Sequence, residues 1–365
     1  MMKKAKRFFA VMLASALTLS LFSGCSNNQP GGSSTPSTST PSTSSPGSSP
    51  SDDNPLGLSE EITISYSHVQ STTSPTHRAV EWLNEWLQEQ SGGYVSIEIF
   101  PAGQLYNDST EIDAIVGGNI DMVSTYMSKL TSIDTDAQYC LAPYLFDDVH
   151  QMEAFYVSEY AQPLYEKIND LGIKVVDVMF GGEQYFMSNG DSIASIDGFQ
   201  GKKVREGGGA MIEALFGALG ASVTTVSFNE LYTAMQTKLV DIAVTSVDSA
   251  VSIQLQEVVS SVSSYDHQFA PYLIMFNQDT WDSYPTAVQN LLTEGFALAR
   301  EKQLEYTDEL CSEALETIQA TCEYHDASQE EIDSLKAIWT PIVEQYVSSE
   351  WIDSINAFKE TYTPA

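Results

Sequence analysis

The 365-residue chain is poor in positive charge, with 16 Lys and Arg against 49 Asp and Glu and a formal net charge of −33. Arginine occurs four times, at Arg7, Arg78, Arg205 and Arg300. That surplus of acid repels polyanions, which excludes nucleic acid and anionic membrane surfaces as partners. Cysteine is scarce too: four residues, no CxxC and no zinc-ligand spacing, so neither a disulfide scaffold nor a cysteine zinc site is encoded. Cys311 and Cys322 would stand about 16 Å apart on one continuous helix, beyond disulfide reach unless a turn intervenes. Buried free thiols are the expectation for Cys140, Cys311 and Cys322. GxSxG and HExxH are missing, and no Cys/His pair sits in a recognisable catalytic frame, which argues against an extracellular enzyme. Paired carboxylates are uninformative in a chain with 49 acids. Beyond the N-terminus, no apolar run is long enough to cross a membrane.

The N-terminus has what the rest lacks. Lys3, Lys4, Lys6 and Arg7 precede Phe8–Phe22, a largely apolar run of 15 residues that ends at Ser23-Gly24-Cys25. This reads as a secretory signal over residues 1–24, shorter than the about 20 residues of a membrane span. The small-small-Cys ending resembles a bacterial lipobox, in which Cys25 becomes the lipidated mature N-terminus. Phe22 stands where the usual Leu would be, with Leu21 one place further out, and an ordinary cleavage site is the alternative. Ser26–Pro55 is almost entirely Ser, Thr, Pro, Gly, Asn and Asp. It buries too little apolar surface to offset its chain entropy and is expected to be disordered. As a flexible tether of about 30 residues it would span roughly 30 Å. Removal of the signal leaves 12 basic residues against 49 acidic ones, a net of −37.

The body, about 300 residues, is long enough for two lobes. Short β-like runs alternate with amphipathic helices, which predicts an α/β fold with mainly parallel sheets. Strands are expected at Ile62–Tyr66, Tyr94–Phe100, Ile120–Thr125, Ile173–Phe180, Ser222–Val226 and Val240–Thr245. Helices are expected over Pro75–Glu89, Ser109–Gly117, Val149–Leu171 and Ala210–Gly220. A further helix, Asn229–Thr237, would open on a capping box of Ser227 and Glu230. Pro285–Glu323 reads as one very long helix or two with a kink, and Ser328–Lys359 is helical. Trp82 and Trp86 fall on the apolar face of the first helix, where core is the simpler reading than a ligand box. Arg78 reads as a helix-surface charge.

Positive charge reappears at Lys202, Lys203 and Arg205, just before Gly207-Gly208-Gly209 and an apolar helix. In so acidic a chain this cluster is a candidate anion site, and a guanidinium suits a carboxylate because its planar fork donates two parallel hydrogen bonds. A solvated strand end is the alternative. The glycines would either present backbone N–H groups to an anion or serve as a flexible connector. They do not form a P-loop, because Lys precedes them and the GxxxxGK[ST] order is missing.

Several passages, in order, resemble the solute-binding subunit of TRAP transporters, the DctP-type extracytoplasmic receptors. They are Tyr66-Ser67-His68-Val69, Gly92-Gly93-Tyr94-Val95 through Phe100-Pro101-Ala102-Gly103-Gln104-Leu105, and Gly117–Met122. Ala142-Pro143-Tyr144-Leu145-Phe146, Phe199–Arg205, Ala218–Ala221 and Asn229–Gln236 continue the series. The likeness covers about residues 60–325. It implies a two-lobe, type II-like periplasmic-binding-protein fold with a long helix across both lobes. Lobe I would comprise 58–181 and about 270–309; lobe II would comprise 182–269 and about 310–365, following a lipid-anchored linker at 25–57. It also implies a receptor that passes a small organic acid to TRAP-type integral membrane subunits, with no catalysis; a monomer with no cofactor and no metal-ligating residues is expected, and whether a metal bridges the ligand is left open. Its cell contact would be the lipid at Cys25 on the outer face of the membrane. A receptor feeding an ABC importer and a surface sensor lipoprotein are the rival readings.

The family's carboxylate-binding arginine corresponds to Arg205, with Lys202 and Lys203 left as surface charges. A second family arginine is replaced by Gln184, which makes a monocarboxylate the expected ligand over a dicarboxylate. The family's "RVPESP" becomes Arg205-Glu206-Gly207-Gly208-Gly209-Ala210. Its "VDGQENP" becomes Val240–Ser246, so Thr245, Ser246 or Asp248 would supply the polar contacts of the family's Asn. Glu183 and Asp248, where they face the cleft, would receive a cationic or hydroxylated part of the ligand; plain surface acids are the alternative. His68, Ser124 and Tyr126 end predicted strands, where ligand sites of α/β folds cluster, with a satisfied structural histidine as the alternative for His68.

Overall fold

The computed structural model describes residues 54–132 and 134–364. The signal, Cys25 and most of the tether lie outside the described residues.

Eleven strands are found among the described residues: β1 Ile62–Ser67, β2 Val95–Phe100, β3 Met122–Tyr126, β4 Ile173–Glu183, β5 Tyr185–Ser188, β6 Lys203–Glu206, β7 Ser222–Thr225, β8 Ile242–Thr245, β9 Ser261–Ser264, β10 Phe269–Asn277 and β11 Glu323–Asp326. They form a five-stranded sheet, β2-β1-β3-β10-β4, and a six-stranded sheet, β11-β9-β5-β8-β6-β7. Each sheet with its helices makes one lobe. The chain passes between them at Gln184, between β4 and β5, and again at 265–268, between β9 and β10. The sheets are mixed rather than mainly parallel: β10 runs antiparallel to β3 and β4, and β5 antiparallel to β8 and β9. The cause is the double crossing. A strand arriving from the other lobe starts at the cleft and runs away from it, whereas the parallel strands end there.

The first helix, Pro75–Ser91, follows from its sequence signals: Ser74 accepts from the His77 N–H, a proline sits in the first turn, and left-handed Gly92 closes the end. Its Leu83 and Leu87 are fully buried, and Trp82 and Trp86 pack against the same core. The opposing surface is the helix Thr286–Thr321, a single 36-residue element with no break. At Gly295 a Cβ would come within 2.7 Å of Leu83 and 2.8 Å of Trp86, so the two helices meet only because that residue has no side chain. The long helix buries Leu292 and Phe296 in the first lobe's core and Ala314 and Ile318 in the second's. Two polar clamps hold it. Gln303 Oε1 accepts from the Phe180 N–H at 3.0 Å while its Nε2 donates to the Phe180 carbonyl. Arg300 pairs with Asp177 and, at 2.9 Å, with Glu153. Arg78 lies over the Tyr306 ring at 4.3 Å, so it braces the same helix pair.

Three local expectations change. Val149–Leu171 is two helices, Val149–Tyr156 and Gln162–Asn169, because Ser158 caps a turn at Tyr160 and Pro163 starts the second helix. Ser227 makes no cap hydrogen bond: its hydroxyl donates to Asp108 instead, at 2.6 Å, and among the described residues the capping box is Ser328 with Glu331. The C-terminal tail is two helices on different lobes. Gln329–Tyr346 packs on the second, where Trp339 donates to the Leu215 carbonyl at 3.0 Å. Ser349–Thr361 returns to the first, stacking Trp351 on Tyr139 with centroids 4.2 Å apart, although the sequence reading placed the whole tail with lobe II. Cys140, Cys311 and Cys322 are free.

Candidate functional site

Where the carboxyl ends of the two sheets face each other, a cavity of about 30 Å³ remains, and Arg205, Gln184, Tyr126 and Thr245 line it together. They come from β6, the crossover, β3 and β8. Arg205 is only 7% exposed. Pairing of β6 with both β7 and β8 fixes its backbone, and Nε donates to the Val226 carbonyl at 2.9 Å. That bond fixes the plane of the guanidinium and leaves the chemistry of its two terminal amino groups for an acceptor. The Tyr126 hydroxyl accepts from Gln268 at 3.3 Å, and its ring lies 5.4 Å from that of Tyr272. Gln184 donates from Nε2 to the Gly182 carbonyl at 3.1 Å.

Sequence reasoning missed four neighbours in this cleft. Asp108, Glu206 and Tyr272 line the cavity, and Lys129 lies 3.5 Å from Asp108 and donates to the Gly207 carbonyl at 3.3 Å. The Ser227–Asp108 and Lys129–Gly207 bonds join one lobe to the other. Burial, partly offset by Arg205 and Lys129 and by the Gly208 N–H, pushes the Glu206 carboxyl up to about 7. Lys129 comes three residues after the end of β3, so the strand-end rule that selects Ser124 and Tyr126 reaches it if extended by one turn. Asp108 had no such signal.

The glycine run has a steric cause as well. A Cβ on Gly207 would lie 2.3 Å from Ser128 Oγ and 2.7 Å from its Cβ, so the close approach of the lobes requires glycine there. Gly208 and Gly209 have φ of +93° and +112°, a backbone that side chains strain. Two of the N–H groups that an anion could meet are engaged: Gly208 with Glu206, and Met211 with Gln138 at 2.9 Å.

The remaining candidates do not line the cavity. His68 is sealed in the core with Nε2 3.0 Å from His77 Nδ1. Burial, and then His77, lower its pKa to about 3, so it is neutral at physiological pH. Ser124 accepts from the Tyr66 hydroxyl at 2.8 Å. Glu183 sits at the crossover, accepting from Ser264 at 2.9 Å and the Asp266 N–H at 3.2 Å; burial raises it to about 7. Asp248 accepts from the Cys311 thiol at 3.4 Å and lines a separate pocket beside the long helix. Ser246 is buried at the start of the short helix Val247–Ser252. Lys203 is exposed and Lys202 half-buried outside the cavity. Among the described residues no cluster of His, Cys, Asp or Glu has the arrangement of a metal site.

Two α/β lobes joined by two crossovers and a shared helix, meeting on a small polar cavity with a buried arginine, define a two-lobed solute receptor. The family model for "Bacterial extracellular solute-binding protein, family 7" (DctP) matches residues 66–350, and the chain belongs to that family, the solute receptors of TRAP transporters. It is 26% identical over 305 residues to the C4-dicarboxylate-binding periplasmic protein DctP of Rhodobacter capsulatus, covering 83% of this chain and 91% of that protein. Among solved structures, the sugar-acid-binding protein DctPAm of Advenella mimigardefordensis, in complex with galactonate, superposes with a TM-score of 0.79 at 19% identity, over 83% of this chain and 99% of that one. A TRAP solute-binding protein of Sulfurospirillum deleyianum with bound succinate gives a TM-score of 0.77 at 23% identity, over 82% and 99%.

Proposed function

We propose that this receptor captures a small organic acid by its carboxylate on Arg205 and delivers it to TRAP-type integral membrane subunits. It acts as a monomer tethered outside the membrane by lipid on Cys25, and it carries out no chemistry on the ligand. The observation that carries the reading is the buried guanidinium held by Val226 in the cavity between the lobes. A desolvated guanidinium favours a bidentate anionic partner far more than an exposed one does. The relatives named for C4-dicarboxylates, succinate and galactonate all take carboxylates, which supports the class. Within that class a monocarboxylate is favoured. Gln184 stands in the cavity in place of a second arginine, so a second ligand carboxylate would meet no second guanidinium.

Calorimetry of the full chain against a panel of organic acids tests this. Arg205→Ala should weaken the best acid by roughly 2–5 kcal/mol, which removes measurable binding, with the circular dichroism spectrum unchanged. Each monocarboxylate should bind better than its dicarboxylate analogue. Unchanged affinity in the variant rejects the arginine's role, and the reverse ranking rejects the role of Gln184.

A further inference from the structure

Glu206 follows Arg205 directly on β6, lines the same cavity and is 2% exposed. Its carboxyl receives the Gly208 N–H, yet Oε2 has no hydrogen-bond partner. The other acid in the lining is committed: Asp108 holds the Ser227 hydroxyl at 2.6 Å and Lys129 at 3.5 Å. Glu206 is thus the lining carboxyl with an acceptor to spare. A buried acceptor left unmet costs roughly 1–3 kcal/mol, and a ligand that donates to it recovers that amount. In the passage resembling the family's "RVPESP", Glu206 occupies the valine position, so the acceptor is a feature of this chain and not of the motif.

Arg205 and Glu206 line one cavity of about 30 Å³, so a planar donor and a spare acceptor meet the same small space, which suits a ligand with a carboxylate and a hydrogen-bond donor on adjacent carbons. We propose that Glu206 is a specificity-determining residue that selects acids bearing a hydroxyl or ammonium group on the carbon next to the carboxylate. The inference rests on Arg205 as the carboxylate anchor. An unsubstituted acid seated there leaves Oε2 unmet and brings only its own negative charge close to the carboxyl. A 2-hydroxy acid donates to Oε2, and a 2-amino acid donates to it and also supplies a cation.

The test is calorimetry at pH 7.5 on the full chain with matched probes of three to six carbons: the unsubstituted carboxylates, the 2-hydroxycarboxylates and the 2-aminocarboxylates. The substituted acids should bind at least tenfold tighter than their plain counterparts, and the stronger of the two series identifies which donor the site takes. Glu206→Val should bring the ratio between substituted and plain acids to within threefold. The isosteric Glu206→Gln should reduce an ammonium preference more than a hydroxyl one, and thermal melts verify that each variant folds. Equal binding of plain and substituted acids by the wild type overturns the inference, as does a ratio unchanged in Glu206→Val. In either case binding lost in Arg205→Ala leaves the anchor standing. Binding of no probe, or binding indifferent to Arg205→Ala, overturns the anchor and the inference together.

Discussion

Arg205 was legible because its type is rare. Four arginines in 365 residues make each one conspicuous, and beyond the signal only Arg205 stands in a basic cluster beside a motif. Its cavity neighbours Gln184, Tyr126 and Thr245 could be reached through strand ends and motif positions. Glu206 could not: one acid among 49 has no distinguishing mark until burial singles it out. His68 shows the opposite failure. It ends a strand as a ligand residue would, but its partner His77 lies on the next helix, and sequence spacing does not reveal that their rings meet. At this scale the titration of Glu206 has a definite sign. Its folded pKa of about 7 lies above the ordinary 4.5, so the folded protein holds the proton more tightly than the unfolded chain does. Between about pH 4.5 and pH 7 this group's contribution to stability falls as pH rises, and above pH 7 the full cost, on the order of 3 kcal/mol, is present. Glu206→Gln should therefore raise the urea midpoint at pH 8 and leave it nearly unchanged at pH 4.5. A variant whose advantage is the same at both pH values would show that the carboxyl does not titrate in this window.

Elements were legible where local signals act alone and obscure where tertiary structure decides. The first helix carries its cap, its proline and its closing glycine in the sequence. β10, by contrast, is a nearly continuous apolar run from Phe269 to Phe276, which has no alternation because both faces are buried: Leu273 and Met275 enter one core cluster, Ile274 and Phe276 another. No strand is expected there from period-2 patterning, yet it joins β3 to β4 in the first sheet. The supposed capping box at Ser227 fails because the hydroxyl finds Asp108 in the other lobe. The loop from β6 into the helix Ala210–Ala218 invites a direct test of how the lobes meet. Gly207→Ala would press a methyl group into Ser128, at 2.3 Å from Oγ and 2.7 Å from Cβ. The φ of Gly207 is not in the left-handed region, so the obstacle is steric and lies between lobes. We expect Gly207→Ala to weaken the best acid at least tenfold by holding the lobes apart, with a thermal midpoint near that of the wild type. Adding Ser128→Gly should restore most of the affinity, since it removes both contacts. Failure of the double variant to recover binding would place the defect in the loop itself and not in lobe closure.

At the scale of the whole molecule, the size of the cavity and the charge of the chain constrain how an acid arrives. A volume of about 30 Å³ holds roughly one water molecule. An organic acid is larger, so the lobes must part to admit it, and the crossovers at Gln184 and 265–268, the long helix and the link between the last two helices are the connections across which they can swing. During the approach the ligand meets the net charge before it meets Arg205. The full chain carries −33, and the expected mature chain −37. At low salt the Debye length of about 30 Å at 0.01 M lets that charge act on an anion across the whole surface, whereas at 0.1 M it is confined to about 10 Å. The cavity itself offers no compensating attraction at long range, since Arg205 and Lys129 are matched by Glu206 and Asp108. The association rate of a monocarboxylate should therefore rise with ionic strength, severalfold between about 0.01 M and 0.3 M salt, the opposite of an electrostatically steered encounter. Stopped-flow tryptophan fluorescence, with five Trp in the chain as reporters, measures it directly. A rate that falls with salt would mean that the local field of Arg205 reaches past the cleft mouth and outweighs the acidic surface. A rate independent of salt would place the slow step in lobe opening, where charge has no part.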